Sequence, residues 1–305
     1  MRLYNIYYLC KQCEDRISGL TFTTVKINQE YLINDWENYK EALFVMRQVP
    51  SLKEYVDDFY ETIPVFVREK EKPHVDHNTY SHLNTKKNTI LNKVQTIISL
   101  YESMELGEAR NGIDVKIPEC DSLAEYIKYL KEIDFIFTQC PYLQHKDGII
   151  KFDTVDVGSQ WITFLIGSAA VTFILTNLAS LVDKAIQLKS HLTSLDQHKE
   201  ILETQKKQNK VLDSNMEIFE VLRKHYISEA VKEIENSNNN VPLDNPEDRS
   251  RLEKSLEKLS DLLDKGVEFY ASIDAPKETQ VLFPVVNSTL ELSENVLKLL
   301  EDKND

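Results

Sequence analysis

Between Gly167 and Pro242 the chain carries neither glycine nor proline, and for most of that run the apolar residues recur at helical spacing. Val171, Ile174, Leu178, Leu181, Ala185, Leu188, Leu192 and Leu195 are separated by alternating steps of three and four, which is the a/d stripe of a heptad helix. Such a stripe needs a second helix against it, so these residues are the candidate seam for an oligomer or a protein partner. An unbroken helix of about 70 residues would reach roughly 100 Å at about 1.5 Å per residue, several times the width of a small domain. A break is therefore expected in the polar run Lys199 to Lys210. Ser214 and Glu217 have the spacing of a capping box, which starts a second helix, and Met216, Phe219, Leu222, Tyr226 and Ala230 resume an apolar face.

No charged residue stands between Asp156 and Asp183, and Trp161 to Val182 is long enough to cross a bilayer. However, Ser168, Thr172, Thr176 and Ser180 recur every four residues, and Asp183, Lys184 and Gln187 prolong that polar sector. The helix is apolar on one side only. Each central Leu, Ile, Phe or Val favours insertion by roughly 0.3 to 0.6 kcal/mol, and Asn177 with the hydroxyls offsets much of the sum. A soluble helix is the leading expectation; a single-pass or conditionally inserted span over 161–182 is the alternative. Trp161 to Ile166, rich in β-formers, reads as a strand that ends at a Gly167-Ser168 turn, with Ser168 as N-cap.

The flanking regions follow from the same patterns. Leu20 to Ile27 alternates as a strand. Trp36 to Val49 and Ser51 to Ile63 read as helices punctuated by Pro50, Glu71 to Thr85 as a loop, and Thr85 to Leu106 as a helix with Ile90, Val94, Ile97 and Tyr101 on one face. Ile113, Val115 and Ile117 alternate with Asp114 and Lys116 as a strand. Ser122 with Glu125 caps a helix from Leu123 to Glu132, and Phe135 to Leu143 and Ile149 to Val157 are strand candidates around a Lys146-Asp147-Gly148 turn. Asn245, Pro246, Glu247 and Asp248 form a helix start. Leu252, Leu256, Leu259, Leu263 and Tyr270 follow at heptad positions, with Gly266 in one slot, on a helix expected to lie against the long one. Pro276 to Pro284 crosses a core or an edge, and Ser288 with Glu291 caps a last helix ending near Leu300.

The fold class expected is mainly α with a small α/β (α+β) insert, the long heptad-patterned helix packing against C-terminal helices. Along the chain this gives an N-terminal helical region (1–106), the insert (107–166), the long helix or broken helix pair (167–240) and a C-terminal helical region (241–305).

Composition narrows the chemistry. A net charge of −14 with dispersed Lys and Arg argues against nucleic acid, and with only seven glycines the chain has no GxGxxG, GxxxxGK[ST] or GxSxG motif. The four cysteines, Cys10, Cys13, Cys120 and Cys140, form no disulfide-scaffold pattern, which fits a reducing, cytoplasmic setting. Cys10 and Cys13 have the spacing of half a zinc site or a thiol redox motif, but the other half is missing. His74 and His77 are spaced to share a metal on one helical turn, with His82 nearby, in a stretch read as solvated loop; His145, His191, His198 and His225 read as surface or seam residues. Glu119, Asp121, Asp134, Asp147, Asp153 and Asp156 concentrate in the insert, as the carboxylates of a Mg²⁺-dependent hydrolase would.

No motif carries a family resemblance, and no catalytic, cofactor-binding or metal-ligating residue is assigned; no cofactor is expected. The leading expectation is a cytoplasmic, non-enzymatic oligomerisation or interaction protein whose heptad helix binds itself or a protein partner. The alternatives are a membrane-acting effector inserting residues 161–182 and a metal-dependent hydrolase built on the insert's carboxylates.

Overall fold

The structure, a computed structural model, describes residues 1–25, 30–104, 111–144, 150–155, 160–167, 170–206, 214–237, 243, 245–273, 275–284 and 290–301. It is mainly helical with two small antiparallel sheets. The chain groups into two compact units: Met1–Glu108 with Val157–Ser159 and Asn287–Asp305, and Ala109–Asp156 with Gln160–Val286.

In the first unit α1 (Leu3–Ser18) leads into β1 (Thr21–Val25) and β2 (Glu30–Asn34). Then come α2 (Trp36–Met46), α3 (Pro50–Thr62), the single turn α4 (Val65–Arg68), β3 (His74–Val75) and the long α5 (His77–Ser103). The strands lie in the order β1-β2-β3. Helix α1 packs on α2 and α5, and Leu9, Ile17, Leu43 and Val94 on these helices are buried. Pro50 is the first residue of α3, with Val49 as N-cap, so it starts the second helix and does not merely punctuate the two; its missing N–H costs nothing in the first turn. The expected loop over 71–85 is largely the start of α5. The Asp76 side chain accepts a 2.7 Å hydrogen bond from Thr79 N, and this cap starts the helix at His77. On α5 the buried face uses Ile98 in place of Ile97.

The second unit runs β4 (Gly112–Lys116), α6 (Leu123–Gln139), a 3-10 turn (Pro141–Leu143), β5 (Ile150–Val155), β6 (Trp161–Ile166), α7 (Val171–Lys206), α8 (Ser214–Ser237), α9 (Pro246–Asp264), β7 (Glu268–Ala271) and α10 (Lys277–Gln280). Its sheet has the order β5-β6-β4-β7, with each strand antiparallel to its neighbours. Ile113, Val115, Ile162, Phe164 and Phe269 lie on one face and join a core built with α6, α7, α8 and α9. Gly112 sits where a Cβ would collide with the Phe164 carbonyl, so β4 and β6 approach closely only with glycine there.

Two expectations change, one of a strand and one of a helix. Phe135 to Gln139 is the end of α6, because Tyr129, Ile133, Ile136 and Phe137 continue a buried helical face, and Pro141 to Leu143 closes it as a 3-10 turn. Tyr270 belongs to β7 and not to a helical heptad: α9 stops at Asp264 and Gly266 turns the chain at φ 90° into the strand. The last helix, α11 (Glu294–Glu301), belongs to the first unit and packs on α2; it starts past the expected Ser288 cap, which lies outside the described residues, as do Ser168 and the Lys146-Asp147-Gly148 turn.

Candidate interaction surface

The centre of the second unit is α7, with α8 and α9 against it. Helix α8 runs antiparallel to α7: Lys184 Nζ lies 2.6 Å from Glu233 Oε2, Leu188 and Leu192 pack with Ile227, and the His191 ring stacks on Tyr226 at 4.7 Å. Helix α9 starts at the Asn245 cap, whose side chain accepts from Asp248 N at 2.7 Å. Its end is held by Lys189 Nζ, which donates to Leu263 O at 3.0 Å and lies 3.6 Å from Asp264, a cation placed where helix carbonyls lack partners. Arg223 donates from Nε and Nη2 to Glu257 Oε1 at 3.1 and 3.0 Å, tying α8 to α9. Burial pushes the nearby Asp261 carboxyl above its ordinary range, against the pull of Arg223 and Lys265.

The candidate seam lies inside this arrangement. Val171, Ile174, Leu178, Leu181, Ala185, Leu188 and Leu192 are all buried, none more than 6% exposed, and Leu195 is partly buried. Their neighbours in the core are this chain's own Val231 and Ile234 of α8 and Leu252, Leu256, Leu259 and Leu263 of α9. The polar sector faces outward: Thr172, Thr176, Asp183 and Gln187 are exposed. Asn177, the one amide in the apolar stretch, is buried and donates from Nδ2 to Tyr142 O at 2.9 Å, so its polarity is satisfied within the fold.

Past Lys189 the surroundings change. Helix α9 ends at Asp264, whereas α7 continues from Ser190 to Lys206, about 25 Å at about 1.5 Å per residue. Ile201 on α7 is 56% exposed, and Ile218 and Val221 on α8 are 52% and 65% exposed. The periodicity of α7 would not single these residues out, since the a/d count passes through Lys199 and misses Ile201.

The remaining constellations disperse. Cys10 and Cys13 both lie buried on α1; burial, with the neighbouring Cys13, pushes the Cys10 thiol up to about 12, the opposite of what a thiolate nucleophile or zinc ligand requires. Cys140 is likewise pushed up to about 12 by burial, and Cys120 is partly exposed. His74 sits in β3, 3.9 Å from Glu30; His77 opens α5 with Nδ1 3.1 Å from the Tyr31 hydroxyl; His82 is exposed on α5. Glu119, Asp121, Asp134 and Asp153 are all exposed, and Asp147 and Asp156 lie outside the described residues. Among the described residues no three His, Cys, Asp or Glu side chains gather as a metal site. The buried carboxylate of this sheet is instead Asp114, 1% exposed, which accepts from Thr163 Oγ1 at 2.8 Å across β4 and β6. Alternation with Ile113 and Val115 made Asp114 look solvent-facing, and only the cross-strand register with Thr163 reveals its partner.

No family model and no solved structure matches the chain. It is similar to YqaP, an uncharacterized protein of Bacillus subtilis (strain 168), with 26% identity over 264 residues, covering 85% of this chain and 82% of that protein. The shared length spans both units, and the name carries no activity.

Proposed function

We propose that this is a non-enzymatic, α-rich interaction protein of the cytoplasm that binds a helical partner, in the first instance a second copy of itself, through the distal half of the α7–α8 hairpin. The observation that carries this reading is the exposure of Ile201, Ile218 and Val221 on a helix pair that outruns its third helix. Exposed apolar residues of this size on the two helices are what a docking partner's helix would cover. The net charge of −14 supports a protein partner over nucleic acid.

The membrane reading draws on the apolar stretch of α7: Val171–Ile201 is long and apolar enough to cross a bilayer, and the core helix of a soluble protein passes the same test. The soluble reading is favoured because Trp161–Ile166 belongs to β6, which leaves Val171 to Val182 as the uncharged helix before Asp183. At about 1.5 Å per residue that stretch spans roughly 18 Å, short of the roughly 30 Å hydrocarbon core.

Detergent-free fractionation followed by light scattering tests the proposal. The protein is expected in the soluble fraction with a mass above one chain, and the variant I201D/I218D/V221D is expected to keep its circular dichroism while losing that association. A wild-type mass of one chain, or a variant mass equal to the wild type, overturns it. Stoichiometric metal in the purified protein would instead favour the hydrolase reading.

A further inference from the structure

A sheet edge is a row of unpaired N–H and C=O groups, and proteins guard such edges with charge, proline, bulges, shortness or cover. Among the described residues the two sheets present four edge strands, and three of them are guarded. β3 is two residues long and follows Pro73. β5 carries Lys151 and is broken by a bulge at Asp153, where Phe152 pairs with Phe164 and Thr154 with Thr163. β7 carries Glu268, and its remaining residues are buried. β1, Thr21-Phe22-Thr23-Thr24-Val25, carries no charge, proline or bulge: it is five residues long, regular in register and made of β-branched and aromatic residues, and among the described residues no other strand pairs beyond it.

Both faces of the strand are engaged by neighbouring side chains. On one face Phe22 packs edge-on to Tyr80 of α5 at 4.9 Å. On the other, Asn34 Nδ2 of β2 donates to Thr21 Oγ1 at 3.3 Å and Thr23 Oγ1 at 2.9 Å, ordering the threonines. Thr21, Thr23 and Thr24 remain exposed. A strand engaged on both faces, and with no further strand paired to it among the described residues, has little ordering left to lose when another strand arrives.

We infer that β1 is a second self-association site, pairing antiparallel across a two-fold axis with β1 of another copy. Its sequence is self-complementary in that arrangement. With Thr23 opposite Thr23 of the partner strand, Thr21 meets Val25 and Phe22 meets Thr24, so threonines, an aromatic and a β-branched residue pair and no like charges oppose. In a chain of net charge −14, a neutral edge is what allows two copies to meet there. The contact is small, because five paired residues fall well below a standard interface, so the pairing is reversible and concentration-dependent. It goes beyond the hairpin reading, and together two isologous contacts on one protomer link copies into assemblies larger than a dimer.

Sedimentation equilibrium over a concentration series separates the two contacts. Wild type is expected to exceed the mass of a dimer as concentration rises. Thr23→Lys, which sets two lysines directly opposite each other, is expected to weaken the β1 pairing about tenfold and leave a dimer. I201D/I218D/V221D is expected to leave a weaker dimer formed by β1, which Thr23→Ile strengthens and added Thr23→Lys reduces to monomer. Thr23 is exposed, so circular dichroism should be unchanged in each variant. A wild-type assembly whose mass is unaffected by Thr23→Lys at every concentration, or a hairpin variant that stays monomeric throughout, overturns the β1 pairing. A mass unaffected by I201D/I218D/V221D overturns the hairpin instead.

Discussion

The two halves of α7 share a chain direction and an apolar stripe but not an environment. From Val171 to Leu192 the stripe is enclosed by α8, α9 and the sheet; Leu195 is only partly buried, and Ile201 of α7, like Ile218 and Val221 of α8, is exposed. The difference shows that a heptad stripe reports a demand for a partner without saying whose helix meets it. In the first half the chain supplies its own. In the second the demand outlasts the supply, because Gly266 turns the chain into β7 just where a longer α9 would have covered the hairpin.

The contrast is broken most severely in the proximal half. Leu178→Asp places a charge in a fully buried position and is expected to abolish cooperative folding of the second unit, while Leu178→Ala should cost about 2 to 5 kcal/mol in urea denaturation. An association seam built from Leu178 would instead give a folded, lighter species, so denaturation and mass together decide the matter. Ile201→Asp, on the same helix, should change stability by about 0.5 kcal/mol or less. Asn177→Ala comes next: it leaves the Tyr142 carbonyl without its donor and should cost about 1 to 3 kcal/mol, whereas removing an amide from a membrane span would stabilise it. A smaller loss of about 1 kcal/mol is expected for Asn245→Ala, which removes the cap of the covering helix α9.

The gentlest probe is thiol chemistry, which separates interior from surface in both units. Cys120 should react first with a thiol reagent at pH 8, with Cys10 and Cys140 reacting only after denaturation. Because burial raises the folded-state values of Cys10 and Cys140 to about 12 from 9.0, the folded protein holds these protons more tightly than the unfolded chain. Their contribution is complete below pH 9 and falls away as pH rises toward 12. C10A/C140A should flatten that decline in a denaturation series; an identical slope would show that other groups govern it.

Much of this was legible in the residues. The strand Trp161–Ile166, the caps Ser122 and Asn245 and the second helix start at Ser214 each rest on short-range signals, and the structure has them. The start of α5 was missed because Asp76 and Thr79 are ordinary loop residues unless their capping bond is seen, and the proline and histidines around them suggested solvent. β7 was missed because Glu268–Ala271 finds its partner β4 some 150 residues earlier, a pairing that local periodicity does not encode. For the candidate surface, the stripe was visible in the sequence but its occupant was not. The exposed residues Ile201, Ile218 and Val221 emerge only once the end of α9 is placed beside Lys189.

Amide hydrogen exchange along α7, measured at low and high protein concentration, tests the division most directly. The account predicts strong protection from about Leu175 to Leu192 at both concentrations, and weak protection from Leu195 to Lys206 that rises as copies associate. Uniform protection along the whole helix in the dilute protein, or a proximal half that exchanges as fast as the distal one, would contradict it.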